Sequence, residues 1–176
     1  MGADAGAGYT LRRARTTDVA AIRELVAPLA EQRVLISKEA VAYYEGIQEF
    51  LVAEDAAGTV IGCGALHVMW EDLAEVRTLA ASDAWRGRGV GHTLLAALLD
   101  RGRELGVSRV FCLTFEVDFF ARQGFAVMAN QDSIDPAIYS ELLRSHDEGV
   151  AEFLDLARVK PNTLGNTRMI RRLDVP

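Results

Sequence analysis

The sequence predicts a mixed α/β (α+β) fold, and three observations carry that expectation. Residues 75–99 (EVRTLAASDAWRGRGVGHTLLAALL) pass from a strand through a Gly/Arg turn into a helix with Leu94, Leu95, Leu98 and Leu99 on one face. Residues 49–54, 60–70 and 73–80 read as three strands in succession, the first two joined by the turn Asp55-Ala56-Ala57-Gly58. Ahead of them lie two helical patterns, and behind residue 100 strands and helices alternate again.

In chain order, the Gly/Ala-rich residues 1–8 read as a disordered lead without the basic and apolar regions of a signal peptide. A single domain over residues 9–176 follows, since the chain shows no repeat and no linker. Residues 9–14 form a first strand, and Thr16-Thr17-Asp18 caps a helix with Val19, Ile22, Leu25, Val26 and Leu29 on one face. That helix either kinks at Pro28 or ends before it. Residues 33–37 connect to a second helix over 38–46, closed by Gly46. Gly62 and Gly64 inside a strand mark a bulge or a close approach of another backbone. After the central helix come a buried strand at 109–113, a helix over 117–123 and a strand opening at Gly124-Phe125. Asp135-Pro136 opens a helix over 137–146, and the tail holds a segment at 152–156 and a last strand near 169–173.

Composition excludes several classes. Half of the 176 residues are hydrophobic and 25% are charged, as in a globular domain. A net charge of −6 argues against nucleic acid as a partner, and no apolar run is long enough for a membrane span. Cys63 and Cys112 lie in apolar strand patterns and read as buried free thiols of a cytoplasmic protein. The three histidines show no metal-ligand spacing, so no metal is expected. His67 and His92 read as structural or loop residues.

The Gly/Arg turn is where chemistry enters. Glycines ahead of a helix let a ligand reach the unpaired first-turn amides, which favour an anion, and Arg86 and Arg88 add charge. The turn has no Gly-Lys-Ser/Thr of a nucleotide P-loop. A dinucleotide fingerprint also fails, because His92 stands at its third glycine. What remains is Arg-x-x-Gly-x-Gly, with Arg86, Gly89 and Gly91 in place.

That motif resembles the pyrophosphate loop of the GNAT acetyltransferases, and the element order resembles theirs over nearly the whole chain. Phe119-Phe120-Ala121-Arg122-Gln123-Gly124-Phe125 is similar to the family's second signature. A narrower resemblance is to N-acetylglutamate synthase. It is carried by Glu31-Gln32-Arg33-Val34-Leu35, Glu75, Leu113-Thr114 and the tail with residues 150–156, Lys160-Pro161-Asn162 and residues 164–169. The tail resembles the short form of that enzyme, which has no amino-acid kinase domain.

The resemblance implies a GNAT fold, with a mixed, mostly antiparallel central sheet of about six to seven strands flanked by helices. It implies acetyl-CoA as cosubstrate, bound by Arg86, Gly87, Arg88, Gly89, Val90, Gly91 and His92, by Phe120, and by the splayed strand at Leu79, Ala80 and Ala81. It implies transfer of acetyl to the α-amino group of L-glutamate, with L-glutamine as the other acceptor, at the first step of arginine biosynthesis. The alternatives are an acetyltransferase for another small amine or a protein N-terminus, and a CoA-binding module without catalysis. A homodimer is left open.

Acetyl transfer needs a group to take the amine proton, and Glu75 is the candidate base. Strand alternation puts Arg77 on its face, so a structural Glu75–Arg77 ion pair is the competing reading. Phe120 stands where the family usually carries a tyrosine as general acid, which leaves Thr114 as a substitute candidate. Lys38, Arg77 and Arg168 are the candidate cations for the carboxylates of the acceptor, with Arg33 and Lys160 behind them.

Overall fold

The computed structural model describes residues 4–5, 8–35, 38–128, 135–154 and 165–174. The elements in chain order are β1 (Asp4–Ala5), β2 (Tyr9–Arg13), α1 (Val19–Glu31), α2 (Ala40–Glu45), β3 (Phe50–Asp55), β4 (Val60–Trp70) and β5 (Leu73–Ala81). Then come α3 (Val90–Glu104), β6 (Arg109–Thr114), α4 (Val117–Arg122), β7 (Ala126–Val127), α5 (Pro136–Leu142), α6 (Glu148–Phe153) and β8 (Thr167–Arg172). One sheet joins all the strands in the order β1-β2-β3-β4-β5-β6-β8-β7. From Tyr9 onward this is the mixed, mostly antiparallel sheet expected. The two-residue β1, paired with Tyr9 and Thr10, adds an eighth strand at the edge.

Strands β2 to β5 run antiparallel, β2 joined to β3 through α1 and α2 and β3 to β5 by hairpins, whereas β5 and β6 are parallel because α3 carries the chain back across the sheet between them. The β5–β6 ladder is short. It pairs Leu73 with Arg109, Ala74 with Val110 and Glu75 with Phe111, and then stops. Beyond that point β5 stays on β4 and β6 stays on β8, so the sheet opens between them. A bulge sits at the opening. Ala65 faces Arg77 and Cys63 faces Ala80, so Thr78 and Leu79 stand opposite the single residue Gly64. Thr78 absorbs the extra residue at φ 56°.

Each face of the sheet carries a core. On one, Leu94, Leu95, Leu98 and Leu99 of α3 pack on Leu66, Val76, Ala53 and Ile61. A Cβ built on Gly62 would lie 2.6 Å from Val90, and one on Gly64 would lie 2.9 Å from Leu98. These glycines therefore serve the close approach of α3. On the other face Val19, Ile22 and Val26 of α1 and Tyr43 of α2 cover Val52, Cys63, Ala65 and Ala80. Cys63 and Cys112 are both free and buried, and burial pushes the Cys63 thiol up to about 12.

Several boundaries differ from the expectation. Helix α1 continues past Pro28, whose carbonyl accepts from the Gln32 N–H at 3.1 Å. Asp18 is the N-cap of α1 but makes no side-chain bond to its first turn; the carboxylate instead accepts the Arg15 N–H at 2.7 Å, closing the 3-10 turn Thr16–Asp18 that leads into the helix. Helix α5 ends at Leu142, short of residue 146. The segment anticipated at 152–156 begins earlier, as α6, because Asp147 accepts the Val150 N–H at 3.1 Å and caps it. Ser37, Lys160, Pro161, Asn162, Leu164 and residues 155–156 lie outside the described residues, as do residues 1–3 and 6–7 of the lead.

Candidate active site

The Gly/Arg loop leaves the sheet where β5 ends. A short 3-10 turn, Asp83–Trp85, leads into Arg86-Gly87-Arg88-Gly89, and all four of these residues are exposed. Gly87 and Gly89 hold φ of 77° and 80°, the left-handed region that a side chain disfavours. Nothing lies within 4 Å of a Cβ built at either position, so the backbone there is open to a ligand. Gly89 is the N-cap of α3, and the Val90, Gly91 and His92 amides form its first turn. The loop is braced from below. Thr93 Oγ1 donates to Gly89 O at 3.0 Å and is itself 2.9 Å from Tyr9 Oη. The Arg88 guanidinium sits 4.8 Å over the Trp85 ring, and Arg86 pairs with Asp83 at 2.6 Å. His92 Nδ1 lies 2.7 Å from Gln123 Nε2, which ties the loop to the end of α4.

At the opening of the sheet the β5 side chains alternate. Ala80 is buried against α1, Leu79 is half-buried towards α3, and Ala81 is exposed. Phe120 packs in the core between Phe119 and Phe125, with ring centroids at 5.2 Å from each. Phe120, expected to touch the cofactor, is thus buried, whereas its neighbour Phe119 is half-buried and stands 3.7 Å from a Cβ built on Gly91. Helical spacing turns Phe120 inward and Phe119 towards the loop.

On the α2 side of the sheet lies a cleft of about 680 Å³, lined among others by Lys38, Glu49, His67, Glu75, Arg77 and Asp147. Its floor is a chain of charges. Arg77 donates from Nε to Glu75 Oε2 at 2.9 Å and again from Nη2. The same guanidinium donates to both carboxylate oxygens of Asp147 at 2.8 Å. Burial works against the Arg77 charge, but Glu75 and Asp147 outweigh it and raise its pKa. Asp147 is held well below the usual carboxylate range, because hydrogen bonds from Arg77 overcome the effect of its burial. His67 continues the chain, with Nδ1 2.7 Å from Glu49 Oε1 and Nε2 3.6 Å from Asp147 Oδ2. Lys38 lines the same cleft. Burial, and then Arg77, lower its pKa, while Glu75, Asp147 and Glu49 oppose them.

The sequence-derived residues thus divide. Glu75, Arg77 and Lys38 meet in the cleft, and the ion-pair reading of Glu75 is the arrangement present. Arg77, expected to receive a carboxylate of the acceptor, already carries two from the protein itself. Thr114 is buried at the end of β6, where its Oγ1 accepts the Glu116 N–H at 2.8 Å. Arg168 is paired in register with Leu113 on β8, and the cleft is lined there by Leu113 and Asn166 instead. Asp147 and Gly149, which no motif in the sequence singles out, line the cleft as well. A Cβ on Gly149 would fall 1.9 Å from Glu75 Oε2, so α6 reaches the ion pair only because residue 149 has no side chain. The sequence signal for this was Asp147-Glu148-Gly149, an N-cap followed by a glycine inside the first turn.

Comparison with known proteins agrees with this geometry. Residues 19–125 match the model of the Acetyltransferase (GNAT) family. An amino-acid acetyltransferase of Mycobacterium tuberculosis is 51% identical over 162 residues, covering 91% of this chain and 92% of that protein. A crystal structure of Rv2747 from Mycobacterium tuberculosis in complex with CoA and NLQ superposes with a TM-score of 0.87 at 51% identity, covering 93% of this chain and 99% of that one. N-acetylglutamate synthase from Neisseria gonorrhoeae, complexed with coenzyme A and N-acetyl-glutamate, superposes with a TM-score of 0.75 at 27% identity. The match covers 94% of this chain and 35% of the Neisseria chain. With the family model spanning more than half of its length, and with the splayed sheet and Gly/Arg loop in place, the chain belongs to the GNAT acetyltransferase family.

Proposed function

We propose that this protein transfers the acetyl group of acetyl-CoA to the α-amino group of L-glutamate or L-glutamine, a step that would open arginine biosynthesis. The observation that carries the reading is the juxtaposition of the open Gly87–Gly89 backbone, the β5–β6 opening and the Lys38 cleft along one line of the sheet. The loop amides with Arg86 and Arg88 suit a pyrophosphate. The β5 backbone freed at the bulge suits the pantetheine arm and the thioester carbonyl. The cleft beyond suits an amino acid. Names borne by the Mycobacterium and Neisseria relatives support the same acceptor class.

One observation favours glutamine among the two acceptors. Arg77 is neutralised by Glu75 and Asp147, which leaves Lys38 as the cleft-lining lysine or arginine with no such pair among the described residues. One ammonium suits one carboxylate, and the second carboxylate of glutamate would enter a cleft that already holds Glu49, Glu75 and Asp147. The test is release of the CoA thiol from acetyl-CoA across the twenty amino acids. Turnover confined to glutamine and glutamate, with the higher kcat/KM for glutamine, is expected. Turnover only with other amines overturns the reading. Lys38→Met should raise KM for the amino acid and leave that for acetyl-CoA unchanged.

A further inference from the structure

We propose that His67, oriented by Glu49, is the group that takes the proton from the acceptor amine. The inference rests on the acetyl-transfer reading above. His67 stands on β4 directly opposite Glu75 and lines the same cleft. Glu49 Oε1, 2.7 Å from Nδ1, is a carboxylate oxygen that accepts only. The ring therefore carries its hydrogen on Nδ1 and keeps a lone pair on Nε2. Asp147 Oδ2, at 3.6 Å from Nε2, is too far to occupy that lone pair yet near enough to stabilise the ring once it is charged.

Glu75 is less suited to the task. Its Oε2 accepts twice from Arg77, and the Gly149 backbone closes over it. The oxygen that would take a proton is thus engaged on one side and covered on the other. The Glu75 side chain is 9% exposed against 25% for His67, so the imidazole is the more open of the two. The charged groups around His67 are Glu49 from the turn after α2, Asp147 ahead of α6, Glu75 and Arg77 on β5, and Lys38 ahead of α2.

The step balances as follows. The acceptor enters as an ammonium and passes one proton to Nε2, which returns it to solvent through the open cleft once product has left, so that Nδ1 keeps its hydrogen on Glu49 throughout. The free amine attacks the thioester carbon and a C–N bond forms. On collapse the C–S bond breaks, and the second proton of the nitrogen ends on the CoA sulfur. One proton is released per amide made.

The test combines His67→Gln, His67→Ala and Glu49→Gln with the intact chain. Acetyl-CoA affinity serves as the check on folding. His67→Gln should lower kcat/KM for the amino acid on the order of 10²-fold. It should also abolish the fall in rate on the acid side that the wild type shows in the imidazole range. Added imidazole should restore part of the rate in His67→Ala, which a structural histidine would not allow. Glu49→Gln should move the acid limb to lower pH. Nitrogen NMR of the wild type should find the neutral ring protonated on Nδ1. An active wild type whose His67→Gln variant keeps rate and acid limb overturns the proposal alone, and so does the opposite tautomer. A wild type that acetylates no amino acid overturns the acetyl-transfer reading, and this proposal falls with it.

Discussion

At the scale of single residues, Gly149 shows how a position without a functional group can govern a site. Its hydrogen occupies the space where a methyl group would strike Glu75 Oε2 at 1.9 Å. Gly149→Ala must push α6 or the Glu75–Arg77 pair aside. A loss of about 1–3 kcal/mol is expected, with a lower Tm and reduced kcat while KM for acetyl-CoA holds, as thermal melting and thiol-release kinetics would read. Asp147 offers a pH test. Its folded pKa is depressed, so its pairing with Arg77 contributes stability above the unfolded carboxylate value of about 3.9 and loses it as pH falls towards the folded value. The stability difference between the wild type and Asp147→Asn should be constant above about pH 5 and shrink below it. Denaturant midpoints across pH 2 to 7 would show this, and a difference independent of pH would remove Asp147 from the network.

At the scale of elements, α3 has two duties. Its Leu94, Leu95, Leu98 and Leu99 anchor it on the sheet, while its N-terminus presents the loop. Gly89→Val attacks the second duty only. A β-branched side chain disfavours φ of 80°, so the loop must refold, although the space around it is open. KM for acetyl-CoA should rise at least about tenfold, which corresponds to about 1.4 kcal/mol, with little change in Tm. Gly62→Ala attacks the first duty, since its methyl would lie 2.6 Å from Val90 and 3.0 Å from Leu94. A lower Tm and weaker acetyl-CoA binding should appear together there, because the helix that carries the loop is displaced. If the two variants behave alike, the separation of the two duties is wrong.

At the scale of the whole molecule, the defining feature is a sheet that parts after three residue pairs between β5 and β6. Backbone groups left without a neighbouring strand are costly unless something else satisfies them, so this opening suits a ligand that can act as a strand. Amide hydrogen exchange should therefore slow within residues 76–81 when acetyl-CoA is added. It should be unaffected at residues 109–111, where the ladder is already closed. Equal protection of both stretches would place the cosubstrate elsewhere.

Much of this was legible in the sequence because it depends on local rules. The alternation in residues 49–80, the leucine spacing of α3 and the glycines of the loop each follow from backbone geometry over a few residues. The face shared by Glu75 and Arg77 followed from the same alternation. The tail was less legible. A six-residue helix such as α6 has no periodic signal to speak of, and its start depends on one aspartate. Phe120 went inward and Phe119 outward on α4, a helix too short for its pattern to say which of two adjacent aromatics faces the core.

The sequence by itself determined the fold class, the Gly/Arg loop ahead of α3 and the shared face of Glu75 and Arg77, since motif spacing and strand alternation are properties of neighbouring residues. Only the tertiary structure decided that Arg77 is saturated by Asp147, that Gly149 seals Glu75, and that His67 is set between Glu49 and Asp147. Arg77 and Asp147, for example, lie 70 positions apart. Which charges meet across such distances is fixed by how α2 and α6 pack onto one face of the sheet, and no local rule of the chain encodes it.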